Sequence, residues 1–302
     1  AGYWDKGVPP VETTLDPAVQ AALAIRLAES LLPFPPAITA AGGVLDNATG
    51  ALRAYVGNAR FKKEARTQWV DCGNSPRSPG STVKPFIDLK AMEQGKLRPA
   101  SLLADTSLSF AGTAPRTYDR RYRGPVSAGF ALANSLNAPA VRVLRRAGGE
   151  SVIAFLRDLG FTLLTREAAH YGDSLALGGC EVTLLQTLRA FSALATLGLD
   201  RPVTALEKNA KDRRLGERPL FSADGASLIA ESLLDAGRMP PVLRAALRDQ
   251  SRMAACQTGT SYGLRDAWTA AYTPEPTVAV WLCDPVSPPH PALPCVPLAK
   301  PR

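Results

Sequence analysis

Strand-forming segments lie near both ends of this chain, and helical segments occupy the stretch between them. Residues 38–57 read as a β-hairpin. The run Ile38 to Asp46 meets the turn Asn47-Ala48-Thr49-Gly50, and Ala51 to Val56 returns. Far downstream, Arg252 to Thr260, Ala267 to Tyr272 and Thr277 to Cys283 are short β-rich runs separated by turn residues, as in an antiparallel meander. This order implies an α+β domain whose sheet is assembled from both ends of the chain.

The helical signals are local. Asp16 can cap a helix over 16–32, with Pro17 in its first turn and Val19, Leu23, Leu27 and Leu31 recurring every fourth residue. A second helix begins near Ser81, tolerates Pro85 in its first turn and ends near Gly95. Residues 126–147 read as mostly helical but interrupted around Ser135-Leu136-Asn137, since Pro139 disfavours a helical Ala138. Further helices are expected from Glu150 to Leu159, from Glu181 to Leu197, and from a Ser222 cap to Gly237. After Asp284 the chain is Pro-rich and reads as an irregular tail.

Composition excludes several classes. With 302 residues, 46% apolar and 21% charged, the chain is an ordinary globular protein able to bury one large core. No apolar run approaches the roughly 18–20 residues that span a bilayer. The chain opens Ala1-Gly2-Tyr3 without an initiator Met and reads as a piece of something longer. Its net charge of +8 comes from scattered residues, with only doublets such as Arg120-Arg121 and Arg145-Arg146. No basic run is interleaved with aromatics, so nucleic-acid binding is not expected. Five cysteines without C-x-x-C spacing and two histidines, His170 and His290, support no zinc site. The cysteines read as isolated buried thiols, a Cys283–Cys295 bridge being the alternative.

Three short motifs carry chemistry. In Ser81-Thr82-Val83-Lys84 a serine and a lysine three apart share a helix face, which sets a hydroxyl beside an amine. Serine is a weak nucleophile until a base takes its proton, and lysine acts as that base only when burial or nearby cations hold it neutral. The helix N-terminus adds backbone N–H groups for an oxyanion. In Ser135-Leu136-Asn137, an extended or turn conformation turns Ser135 and Asn137 to one side and Leu136 inward. The hydroxyl can relay a proton, and the amide can hold a peptide group. In Gln257-Thr258-Gly259-Thr260, glycine admits a substrate backbone closely, and both threonines offer hydroxyls to a carboxylate. Each motif alone is commonplace: a solvated pair, a cap at a helix break, a strand end.

Their order and their flanks are specific. S-x-x-K, S-x-N and K-[TS]-G in sequence form the fingerprint of acyl-serine enzymes that bind penicillin. Here 54 residues separate Ser81 from Ser135, and 176 separate Ser81 from Gln257. Residues 70–86 (VDCGNSPRSPGSTVKPF), 118–143 (YDRRYRGPVSAGFALANSLNAPAVRV) and 258–268 (TGTSYGLRDAW) resemble class A penicillin-binding proteins, especially the 1C type. Weaker echoes at 12–21 and 176–185 extend the resemblance from about residue 12 to about residue 283.

The resemblance implies a transpeptidase domain over 1–283, followed by the tail 284–302. Its fold would be an antiparallel β-sheet packed by helices beside a mainly helical subdomain, with the active site between them. Ser81 would attack the D-Ala-D-Ala amide of a peptidoglycan stem peptide, with Lys84 as base and Ser135 as proton relay. Asn137, Gln257, Thr258, Gly259 and Thr260 would bind substrate, and the backbone N–H groups of Ser81 and Thr260 would form the oxyanion hole. β-Lactams would acylate Ser81 as covalent ligands, and no metal or organic cofactor is implied. The full-length protein would carry an N-terminal glycosyltransferase domain and an inner-membrane anchor, with this domain in the periplasm. Two departures stand out. The family motif has lysine where this chain has Gln257, and the usual C-terminal helix has no counterpart in the Pro-rich tail. Two rivals follow: a degenerate domain that binds stem peptide or a partner without turnover, and a β-lactam hydrolase. The hydrolase ranks last, because no Glu here is followed by Asn four residues on, the pairing that activates the deacylating water in class A hydrolases.

Overall fold

A computed structural model of the chain describes residues 11–60, 69–108, 121–208, 218–234, 254–261, 263 and 265–284. In chain order its elements are α1 (Pro17–Ser30), β1 (Thr39–Asp46), β2 (Ala51–Val56), α2 (Lys84–Glu93), β3 (Leu102–Asp105), β4 (Gly124–Ser127), α3 (Ala128–Ala133), α4 (Asn137–Ala147) and α5 (Gly149–Asp158). Then come α6 (Ala168–Tyr171), α7 (Leu184–Ala195), β5 (Leu199–Asp200), β6 (Arg218–Pro219), α8 (Ala223–Leu233), β7 (Ala255–Thr260), β8 (Asp266–Tyr272) and β9 (Pro276–Cys283).

The sheet is built from both ends, as its sequence implies. Five antiparallel strands run in the order β2-β1-β9-β8-β7, and β1 pairs with β9 from Thr39↔Cys283 to Asp46↔Pro276. Strand alternation puts neighbouring residues on opposite faces. Ala40 packs with Leu27 of α1 and Leu31 at its C-cap, whereas Ala41 belongs to the large core that includes Leu184 and Leu188 of α7. The sheet therefore has a helix on each face. The large core continues into the helical half around α2, where Phe86 is fully buried and edge-packed on Phe161 and Phe191, with centroids 5.9 and 5.2 Å away. Burying one such ring stabilises by roughly 1.5–3 kcal/mol.

Several local readings hold. Asp16 caps α1 by accepting from Ala18 N and Val19 N, and Ser222 caps α8 by accepting from Gly225 N. The helix expected over 181–197 is shorter, because Thr183 and Gln186 form a capping box that starts it at Leu184. Others need correction. The helix at Ser81 begins as a 3-10 turn, Gly80–Val83, and becomes α-helical at Lys84. Pro85 has no N–H to give the Ser81 carbonyl, so Lys84 N–H bonds it instead and tightens the turn. The break between α3 and α4 is where expected, but its cause is not Pro139. Ala138 and Pro139 both lie in the first turn of α4, a position that tolerates proline. The chain turns at Ser135, whose φ of 52° is left-handed. The β3–β4 and β5–β6 ladders were unforeseen, each strand being only two to four residues long.

The Pro-rich tail, Cys295 and His290 lie outside the described residues, as does the end of α8 expected at Gly237. Cys180 is a buried free thiol and Cys256 a half-buried one, and Cys72 is buried with its Sγ 3.7 Å from Val70 O. No helix among the described residues is long and apolar enough to cross a membrane.

Candidate active site

The turn that carries Ser81 is held from two sides. On one, Arg77 N and O exchange bonds with Val182 at 3.0 and 2.8 Å, and Ser78 Oγ donates to Gly178 O at 2.6 Å. On the other, Trp268 Nε1 of β8 donates to Ser78 O at 2.9 Å. Trp268 stacks on Trp281 of β9, whose ring also carries the Arg77 guanidinium 5.2 Å from its centroid. Two glycines then let the edge strand β7 close on the turn. A Cβ at Gly80, where φ is +55°, would lie 2.5 Å from the Thr260 backbone, and one at Gly259 would collide with Pro79 O. Neither position has room for a side chain, so the sheet edge and the Ser81 turn are in direct backbone contact.

Lys84 points from this turn toward the second motif. Its side chain is buried, with 1% exposure. Nζ lies 2.7 Å from Ser135 O, 2.7 Å from Asn137 Oδ1 and 3.3 Å from Ser135 Oγ. The left-handed turn at Ser135 aims both its carbonyl and its hydroxyl at the amine, and Leu136 packs into the core as expected. Asn137 is the first residue of α4 rather than extended, and its amide oxygen meets the lysine. The spacing sets the amine beside the Ser81 hydroxyl, and the structure shows where the amine's hydrogen bonds go. No hydrogen bond joins Lys84 to Ser81, because Ser135 and Asn137 take the amine's donors. Burial lowers the Lys84 pKa to about 7, with the Asp88 charge pulling the other way. The amine is therefore a base near neutrality without a neighbouring cation.

Gln257 occupies the third corner. On β7 it is buried, at 3% exposure, and its Nε2 donates to Ser135 Oγ at 3.2 Å and to Thr258 O at 2.9 Å. Ser135 Oγ thus bridges Lys84 and Gln257, and the three motifs form one hydrogen-bonded unit. Alternation along β7 leaves Thr258 and Thr260 exposed, with Gln257 and Gly259 turned inward. Among the described residues β7 is an edge strand, so its outer edge can pair with an extended peptide while the threonine hydroxyls face solvent. A cleft of about 410 Å³ lies behind the turn, bordered by Ser78, Arg166, Gly178 and Glu181.

Every residue expected at the site from sequence converges here: Ser81, Lys84, Ser135, Asn137, Gln257, Thr258, Gly259 and Thr260. Sequence reasoning missed two contributors. Trp268 anchors the serine loop through Ser78, a contact between residues 190 positions apart that no local pattern encodes. Asp88 is buried on α2 four residues after Lys84. Its spacing was visible, but its burial was not.

The comparisons with known proteins agree with this geometry. The model of the penicillin binding protein transpeptidase domain matches residues 40–281. The chain is 34% identical to penicillin-binding protein 1C of Escherichia coli strain K12 over 90% of this chain and 34% of that protein. It is 29% identical to penicillin-binding protein 1F of Bacillus subtilis strain 168 over 79% of this chain and 34% of that one. It thus spans about one third of the length of these curated relatives. In fold it is similar to the penicillin-binding protein PonA1 from Mycobacterium tuberculosis, with a TM-score of 0.78 at 22% identity over 96% of this chain and 82% of that one. PonA1 has also been solved in complex with penicillin V. An antiparallel sheet lying against a serine–lysine turn, with the second motif bonded to the lysine and the third bonded to the second, agrees with the family match across most of its length: the chain belongs to the penicillin-binding protein transpeptidase domain family, of the class A kind.

Proposed function

We propose that this domain is a peptidoglycan DD-transpeptidase that works through an acyl-serine intermediate on Ser81. The observation that carries the reading is the Lys84 amine, buried, held by Ser135 and Asn137, and lowered by that burial to a pKa of about 7. In the first step Ser81 Oγ bonds to the carbonyl carbon of the terminal D-Ala-D-Ala amide, and Lys84 takes the hydroxyl proton. The backbone N–H groups of Ser81 and Thr260 receive the oxyanion. The C–N bond then breaks, and Ser135 passes a proton to the departing D-Ala amine. In the second step an amine from a neighbouring strand attacks the ester, its proton returns through the same groups, and Ser81 is freed. Asn137 holds the peptide, and Thr258 and Thr260 bind the terminal carboxylate. β-Lactams enter as mimics of that amide and stop at the ester.

The substrate is the stem peptide. In the longer protein we place a glycosyltransferase domain and an inner-membrane anchor before this domain, which then works in the periplasm. Incubation with a synthetic peptide ending in D-Ala-D-Ala tests the reaction. Release of D-Ala is expected from the wild type and none from Ser81→Ala. A folded wild type that binds the peptide without releasing D-Ala would replace this reading with a non-catalytic binding domain, which Gln257 and the absent Ser81–Lys84 bond favour.

The backbone contact between β7 and the turn yields a further prediction. In Gly259→Ala, the added methyl meets Pro79 O and Thr82 Cγ2, so the strand must shift away from Ser81. Acylation by penicillin is expected to fall about 10²-fold, the cost of an ångström-scale misplacement of a catalytic group. Stopped-flow acylation rates on the folded variant measure it, and an unchanged rate would contradict the role given to this contact.

A further inference from the structure

We propose that Asp88 is a positioning residue for the reaction, a buried carboxylate one helical turn behind Lys84 that sets the pH at which the amine becomes a base. The inference rests on the reading of Lys84 as that base. Residues four apart on a helix are neighbours, with Cβ atoms roughly 5–6 Å apart. Both groups are nearly removed from solvent, Lys84 at 1% and Asp88 at 4% exposure. Both line one small cavity of about 10 Å³, bounded by Leu103, Leu132, Leu136 and Val143. Its walls are apolar, so charge is felt more strongly there than in water.

An ammonium has three donors, and three acceptors on Ser135 and Asn137 face the Lys84 amine. Asp88 therefore acts on it by charge rather than through a hydrogen bond. Burial drives the two groups in opposite directions, the lysine down and the carboxyl up to about 7, and each restrains the other's shift.

Other charged groups around α2 are engaged elsewhere. On α4, Arg142 bonds Thr106, Arg145 bonds Asp173 and Arg146 bonds Lys96 O. On α5, Arg157 bonds Leu164 O, and Glu150 and Asp158 are exposed. From α8, Asp224 and Glu231 are exposed, and Ser222 takes Glu93 of α2. Asp105 of β3 accepts from Arg123 N, and Lys90 of α2 sits over the Phe155 ring.

The test is a titration of the whole domain by NMR with ¹³C-labelled lysine and aspartate, the Lys84 and Asp88 signals being assigned by their loss in Lys84→Arg and Asp88→Asn. In the wild type Asp88 is expected to titrate well above the ordinary carboxylate range, in step with an inflection at Lys84. In Asp88→Asn the Lys84 midpoint is expected to fall by about one pH unit or more, and Asp88→Glu is expected to restore it. The acid limb of penicillin acylation should move down with it. An Asp88 that titrates near its ordinary value, or a Lys84 midpoint unmoved or raised in Asp88→Asn, would overturn the proposal. If Asp88→Asn does not fold, the wild-type aspartate curve decides alone, its signal then being assigned through Asp88→Glu. The titration needs no turnover, so failure of acylation would sink the transpeptidase reading and leave this one to its own result.

Discussion

Replacing Lys84 with methionine is expected to slow penicillin acylation by about 10²- to 10⁴-fold, the contribution of a positioned general base. Methionine keeps an unbranched apolar stem in a side-chain position that is 1% exposed, so the helix packing around α2 survives. What is lost is the amine, together with its bonds to Ser135 and Asn137. Ser135 O, Ser135 Oγ and Asn137 Oδ1 then each lose a partner, at a cost of roughly 1–3 kcal/mol of stability. The sign of the pH dependence follows from the burial of the lysine. The amine must be neutral to take the Ser81 proton, and its pKa is lowered to about 7. Wild-type acylation should therefore rise with pH through neutrality and level off above it, and Lys84→Met should lose that limb. Second-order acylation rates between pH 5 and 9 measure both effects. An undiminished rate in Lys84→Met would remove the lysine from the mechanism.

Gln257→Lys is expected to raise acylation about tenfold. Gln257 Nε2 is 3.2 Å from Ser135 Oγ, so a lysine there reaches the same hydroxyl and brings a charge to the third corner. A hydrogen bond to a charged group is worth roughly 1.5–3 kcal/mol, about twice a neutral one, so the gain is roughly 1–1.5 kcal/mol, or about tenfold in rate. A second cation beside Ser135 also disfavours the charged form of Lys84, so the acid limb should move to lower pH. The same measurement series reads both changes. A rate and a limb that stay at wild-type values would mean that the glutamine is no handicap in this site.

Much of this site was legible because its parts are local. Asp16 and Ser222 announce their helices by cap chemistry, and the Asn47 to Gly50 turn announces the first hairpin. The three motifs could be read because each is a short string placed in order. What sequence could not show is how the strings meet. The register that joins Thr39 to Cys283 depends on packing between residues far apart. So does the contact that brings Trp268 to Ser78. The left-handed Ser135 was hidden because serine seldom adopts that conformation, and Pro139 drew attention as the more familiar helix breaker. Sequence spacing placed the lysine beside the serine, but not that the acceptors of Ser135 and Asn137 would hold its amine.

The central claim is that Ser81 is a nucleophile activated within this network. Intact mass after incubation with penicillin, run beside Ser81→Ala, tests it most directly. One adduct of the mass of penicillin is predicted on the wild type and none on Ser81→Ala. A folded wild type that gains no mass, or an adduct that persists in Ser81→Ala, would contradict it.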